Sequence, residues 1–187
     1  MDNWIQKWRA REEIFFNIMN ERRHGRKRYR IINQWLSFIT HTGGASFTLA
    51  ASLVIALIAN KQWSTAGWHS FLAVILSHIP VFLIKRFFKR LRPYQSLEKV
   101  FTGNKLLKDP SFPSGHTTAS FAFLTPLALG SGAVAFIVWP ITLVIGLSVA
   151  WSRMYLGLHY PSDVIVGMFI GSITGLCVSL LAGPFPF

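Results

Sequence analysis

Residues 162–181 read SDVIVGMFIGSITGLCVSLL, and this stretch decides the class of fold. A helix needs about 20 mostly apolar residues to cross roughly 30 Å of hydrocarbon. The run has that length, and its one charge, Asp163, stands at its start. Working outward, four more runs of the same kind appear: residues 35–60, 68–88, 114–130 and 133–151. The first is interrupted by His41-Thr42-Gly43-Gly44, which leaves 45–59 as its firm part. Trp63, Trp68, Trp139 and Trp151 fall at or near run ends, where interfacial aromatics gather. The sequence thus predicts an all-α, polytopic transmembrane helix bundle of five spans, or six if the N-terminal segment also crosses.

Composition agrees. Of 187 residues, 51% are hydrophobic and 14% charged, against roughly 25% charged in a soluble domain. The net charge is nevertheless +12, which suits nucleic acid, an anionic membrane surface or a phosphorylated substrate. The cations form no even stripe that could follow a nucleic-acid backbone, so no nucleic acid is expected as a partner. The single cysteine, Cys177, excludes an internal disulfide and a cysteine-based metal site; it reads as a small apolar residue of a membrane helix.

Residues 1–30 stand apart from residues 31–187, the predicted transmembrane domain. Trp4, Ile5, Trp8, Ile14, Phe15, Phe16 and Ile18 interleave with Lys7, Arg9, Arg11 and Glu12. That pattern predicts an amphipathic helix lying in the interface, not a cleavable signal. Residues 22–28 (RRHGRKR) read as a patch against anionic headgroups or as a topology signal. The long connection 89–113 is rich in breakers, and a loop this long in so small a bundle points to function.

Three polar clusters sit at run ends. Lys85, Lys89 and Arg92 share a face if the second helix continues to Arg92, where Pro93 helps to stop it; such cations suit a phosphate. Arg86 and Arg90 read as headgroup-snorkelling side chains. In Pro113-Ser114-Gly115-His116, Ser114 is a good N-cap, Gly115 admits a close backbone approach, and the helix start offers N–H groups to an anion. His116 beside that anion could pass a proton to a departing oxygen. The third cluster is Ser152-Arg153, His159 and Asp163. Asp163, four residues after His159 around Pro161, could hold the imidazole in one tautomer; the plainer reading is an N-cap aspartate beside a surface histidine. His24, His41, His69 and His78 read as surface or packing histidines, His78 with a backbone carbonyl freed by Pro80.

Lys85 with six residues before Arg92-Pro93, then Pro113-Ser114-Gly115-His116, then Ser152-Arg153 with five residues before His159 and three before Asp163, resembles the type 2 phosphatidic acid phosphatase superfamily. The resemblance spans residues 85–163. It implies a lipid phosphatase acting through a phosphohistidine intermediate, with no metal and no cofactor. It implies His159 as nucleophile, Asp163 orienting it, and His116 protonating the leaving group and later activating water. Lys85, Arg92 and Arg153 would hold the phosphoryl oxygens with Ser114, Ser152 and the backbone at Gly115. Expected substrates are phosphatidic acid, phosphatidylglycerol phosphate or undecaprenyl diphosphate. The competing readings are a non-catalytic protein that binds or carries phospholipid, and a basic membrane anchor. Familiar members have six spans. With five, 18 of the 19 Lys and Arg share the site's face and only Lys61 lies opposite, which predicts a cytoplasmic active site. Neither the preferred lipid nor the oligomeric state is written in the sequence.

Overall fold

The computed structural model describes residues 2–21, 29–102 and 106–183. The predicted basic patch at 22–28 lies outside the described residues. Among those described there is no strand. The α-helices are α1 (Asp2–Glu21), α2 (Arg30–Thr42), α3 (Ala45–Ile58), α4 (Lys61–Phe87), α5 (Pro93–Ser96), α6 (Gly115–Leu129), α7 (Ala135–Tyr155) and α8 (Pro161–Leu181).

Among the described residues, three helical stretches are long and apolar enough to span a bilayer: Lys61–Phe87, Gly132–Tyr155 and Pro161–Leu181. A fourth is the pair α2 and α3 taken as one span, broken at Gly43-Gly44 and bent by 67°. The expected five spans thus become three or four on length and composition. The difference is α6, whose 15 residues extend only about 22 Å. It is the central helix, packed against α3, α4, α7 and α8, with Ala119, Ala122, Leu124 and Ala128 buried. Its neighbours, not its own length, cover its surroundings. The outward faces are apolar instead: Ile75, Ile79, Phe82, Leu143, Val144, Phe169 and Ile173 are all exposed. Exposed side chains of this kind on a helical bundle mark a membrane protein.

Small residues let the helices approach. A Cβ on Gly67 would lie 2.5 Å from the Ala56 nitrogen of α3, and one on Gly171 would lie 2.3 Å from the Thr118 oxygen of α6. Serines join helices where apolar chains cannot: Ser70 Oγ donates to the Phe123 carbonyl at 2.8 Å. His78 Nδ1 lies 2.7 Å from the carbonyl oxygen of Val74, one turn back. That carbonyl is not the one Pro80 leaves without its helical donor; a turn of helix puts the imidazole beside the nearer oxygen.

The sequence reading set residues 1–30 apart; in the structure α1 packs against α7 and α8. Glu12, Phe16 and Asn20, one turn apart, are buried, while Trp4, Trp8, Phe15 and Ile18 on the other face are exposed. Asn20 Nδ2 donates to the carbonyls of Phe101 (2.8 Å) and Tyr155 (3.1 Å), tying α1 to the long connection and to the end of α7.

Candidate active site

The polar clusters converge at one end of the bundle. α7 ends in a turn where Gly157 has φ +71°, a left-handed conformation favouring glycine; a Cβ there would also lie 2.7 Å from the Phe101 oxygen. The turn delivers His159, which is 1% exposed, to the start of α8. His159 Nε2 lies 3.0 Å from Arg92 Nη1, so the neutral ring accepts there and carries its proton on Nδ1. Nδ1 faces Asp163 Oδ2 at 3.5 Å. Burial first, then Arg92 and Arg153, push the imidazole down to about 3, with Asp163 opposing. A ring so placed is neutral at neutral pH.

Asp163 is fully buried in the first turn of α8. Its Oδ2 accepts from Ser111 Oγ and from the Tyr160 N–H (2.9 Å), and its Oδ1 accepts from Arg90 Nη1 (2.9 Å). Asp163 is the third residue of α8, whose N-cap is Tyr160, and it closes a capping box there while facing a buried histidine; the plainer reading of an N-cap aspartate beside a surface histidine does not hold. The Ser114 N–H donates to the Asp163 carbonyl at 2.9 Å, which fixes the start of α6 against that of α8. Ser114 caps α6 as expected, accepting from the Thr117 N–H at 3.5 Å. The Cβ of an alanine at Gly115 would meet nothing within 4 Å, so open space lies above this helix start. His116 follows, with Nε2 3.9 Å from where a Cβ on Gly44 would sit. The Gly43-Gly44 break lets the α2–α3 corner press on α6: a Cβ on Gly43 would lie 3.1 Å from the His116 oxygen and 2.5 Å from Val149.

The cations arrive by different routes. α4 ends at Phe87, so Lys85 and Arg92 do not share a continuous helical face as expected. Residues 88–92 leave the helix, and Pro93 opens α5 with Arg92 as its N-cap instead of merely stopping α4. The extended segment lets Arg92 turn inward: at 1% exposure it donates to the Leu158 carbonyl (2.9 Å), the Asp109 carbonyl (2.9 Å) and Asp109 Oδ1 (2.9 Å). Lys85 Nζ donates to Asp109 Oδ2 at 2.7 Å. Arg153, 3% exposed, donates to Thr40 Oγ1 at 2.7 Å, and its Nε has no partner among the described residues. A buried guanidinium with a spare N–H is a strong donor toward a phosphoryl oxygen. Ser152 is also buried, but its hydroxyl donates to the Val149 carbonyl at 2.6 Å, back along its own helix.

Residues 66–184 match the PAP2 superfamily model. The chain belongs to the PAP2 superfamily. It is 34% identical over 140 residues to the decaprenylphosphoryl-5-phosphoribose phosphatase of Mycobacterium tuberculosis, covering 70% of this chain and 71% of that one. It is 27% identical to the undecaprenyl-diphosphatase BcrC of Bacillus subtilis, over 78% of this chain and 72% of that one. The crystal structure of Aquifex aeolicus LpxE superposes with a TM-score of 0.73 at 26% identity, covering 88% and 92% of the two chains. This PAP2 protein is a phosphate-ester hydrolase of the membrane.

Four polar residues of this PAP2 site were not singled out for it by the sequence reading. Ser111 bridges Asp163 and His159, lying 3.5 Å from Nδ1 of the latter. Asp109 joins Lys85 to Arg92, and although burial opposes it, those cations hold its carboxyl below the usual range. Both lie just ahead of Pro113-Ser114-Gly115-His116, so proximity to that motif was the available signal. Arg90 is not a snorkelling cation: it pairs with Asp163 at 2.9 Å and with Glu12 at 2.7 Å. Nothing in the local sequence joins Glu12 to residues 78 and 151 positions further along. Beside Lys85 a cavity of about 530 Å³ is lined by Arg86, Lys89, Lys108 and Asp109. An apolar cavity of about 250 Å³ lies between Phe47, Leu124 and Ile145, and Ser120, one turn along from His116, borders it.

Proposed function

We propose that the chain removes phosphate from a lipid phosphate or diphosphate through a phosphohistidine on His159. The observation that carries this is the buried His159 ring, with Nε2 toward Arg92 and Nδ1 toward Asp163. The Nε2 lone pair, released from Arg92 Nη1 as that guanidinium turns to the phosphoryl oxygens, attacks phosphorus, and the bond from phosphorus to the leaving oxygen breaks. His116 gives its proton to that oxygen, then takes one from the water that attacks the phosphohistidine, releasing inorganic phosphate. The ring keeps its Nδ1 proton throughout, and the positive charge it gains is stabilised by Asp163. Lys85, Arg92 and Arg153, with the N–H of Gly115 at the α6 start, stabilise charge spread over the phosphoryl oxygens; the Ser114 N–H stays on the Asp163 carbonyl. Asp109 now occupies Lys85 and Arg92, so phosphate enters by displacing that carboxylate. Because the Ser152 hydroxyl is engaged on its own helix and its backbone lies within α7, its share in phosphate binding requires a rotamer change.

The names of the relatives favour a polyprenyl-linked phosphate over a diacylglycerol phosphate, and the apolar cavity bordered by Ser120 suits the first part of such a tail. The positive-inside bias supports a cytoplasmic site: the N-terminal cations add to it and lie outside the phosphate cluster. Residues 31–187 form the phosphatase domain, with α1 docked on it.

The test is phosphate release by purified protein in detergent with EDTA. Undecaprenyl diphosphate, phosphatidylglycerol phosphate and phosphatidic acid run in parallel, and His159→Ala serves as control. Release that survives EDTA and vanishes in H159A is expected, with the polyprenyl substrate fastest. Release that EDTA abolishes, or that H159A retains, sinks the phosphohistidine route.

A further inference from the structure

Glu12 lies on a helix outside the three signature clusters, yet its side chain is only 6% exposed and faces the catalytic end. Oε1 accepts from the Ser162 N–H at 2.8 Å and from the Ser162 hydroxyl. Oε2 accepts from Arg90 Nη2 at 2.7 Å. Arg90 Nη1 donates to Ser162 Oγ (2.7 Å) and to Asp163 Oδ1 (2.9 Å), and its guanidinium carbon sits 4.0 Å above the Tyr160 ring. The guanidinium thus lies between two carboxylates, held flat on an aromatic face, with little freedom to leave either.

This arrangement creates a problem for catalysis and also answers it. A cation on Asp163 fixes the carboxylate but draws charge away from the ring it must support. Apart from Asp109, whose carboxylate is taken up by Lys85 and Arg92, the other charge around His159 is positive or neutral: Arg92 from the start of α5, Arg153 from α7 and His116 from α6. Asp163 itself also feels Lys85. A second carboxylate on the far side of Arg90 offsets its charge and leaves the trio Glu12, Arg90 and Asp163 with one net negative charge. We propose that Glu12 and Arg90 are positioning residues for His159: Arg90 aims the Asp163 carboxylate, and Glu12 keeps its charge available to the imidazole. The N-terminal helix is then part of the catalytic apparatus. The proposal rests on His159 being the nucleophile.

A merely structural staple predicts that losing either partner loosens the site in the same way. An electrostatic positioning role predicts opposite signs. Glu12→Gln keeps the shape and removes a negative charge, so His159 becomes less basic. Arg90→Gln removes a positive charge beside Asp163, so His159 becomes more basic. The experiment follows the Nδ1–H resonance of His159 in ¹⁵N-histidine-labelled full-length protein, assigned against H159A, together with the acid limb of kcat/KM on undecaprenyl diphosphate. In E12Q the resonance moves upfield and the limb moves down by about half a unit, with kcat about threefold lower and KM unchanged. In R90Q both move the other way, and Arg90→Lys restores the wild-type positions. Shifts of the same sign in E12Q and R90Q, or none in folded protein, overturn the proposal. If E12Q does not fold, R90Q against R90K decides: equal resonance positions refute it. The resonance needs no turnover, so absence of phosphate release by the wild type would sink the phosphatase reading separately.

Discussion

Gly171→Ala is the most demanding test of how the fold holds the site. A Cβ at 171 would lie 2.3 Å from the Thr118 carbonyl oxygen and 2.9 Å from the Ala122 nitrogen. Ordinary contact begins at 3.4 Å, so the first distance is 1.1 Å too short, and both opposing atoms are backbone. No rotamer can yield; α8 must move away from α6. Overpacking of this kind costs about 1–3 kcal/mol. The separation also reaches chemistry, because α6 begins at Ser114 and His116 while α8 carries Asp163, and the two starts are joined by the Ser114 N–H to Asp163 carbonyl bond. A misplacement of about 1 Å between reacting groups costs on the order of 10²-fold in rate. Thermal unfolding in detergent and kcat/KM measured on the same preparation give both quantities. G171A should lower the midpoint and reduce kcat/KM by about 10- to 100-fold. Wild-type stability together with wild-type activity would refute this account of the α6–α8 interface.

Three further outcomes are expected. Asp163→Asn keeps the side-chain volume but removes the charge that stabilises the imidazolium-like His159; kcat should fall by about 10³-fold or more with a small change in KM, and wild-type kcat would exclude the orienting role. Asp109→Asn removes a half-exposed competitor for Lys85 and Arg92, so vanadate or inorganic phosphate should inhibit about fivefold more tightly, read from inhibition constants at fixed pH. For pH, His159 titrates near 3 when folded and near 6.5 when unfolded, so between those values the unfolded chain binds more protons. The contribution of His159 to stability is therefore complete above about 6.5 and declines as pH falls toward 3; His159→Gln should flatten the pH dependence of unfolding in that window.

Much of this protein is written in local sequence. Apolar runs of membrane length gave the all-helical class, because hydrocarbon admits no unsatisfied backbone and the signal needs only composition. The residues proposed for phosphate chemistry were legible from fixed spacings in three motifs, since each motif sits at a helix start or end. The number of spans was less legible: hydropathy does not distinguish a helix facing lipid from α6, buried among its neighbours. The glycines at 167, 171 and 175, four apart, went unused in the sequence reading, although that spacing is a signal of close helix packing. What only the tertiary structure decided are contacts between distant elements. The Lys85–Arg92 face does not exist as one helix, because the chain leaves α4 at Phe88 and turns Arg92 inward. Arg90 looked like a surface cation because the two carboxylates that hold it come from α1 and α8, and the sequence around Arg90 carries no trace of either. Spacing along a chain encodes what one helix presents; the field at a buried atom depends on every element that folds against it.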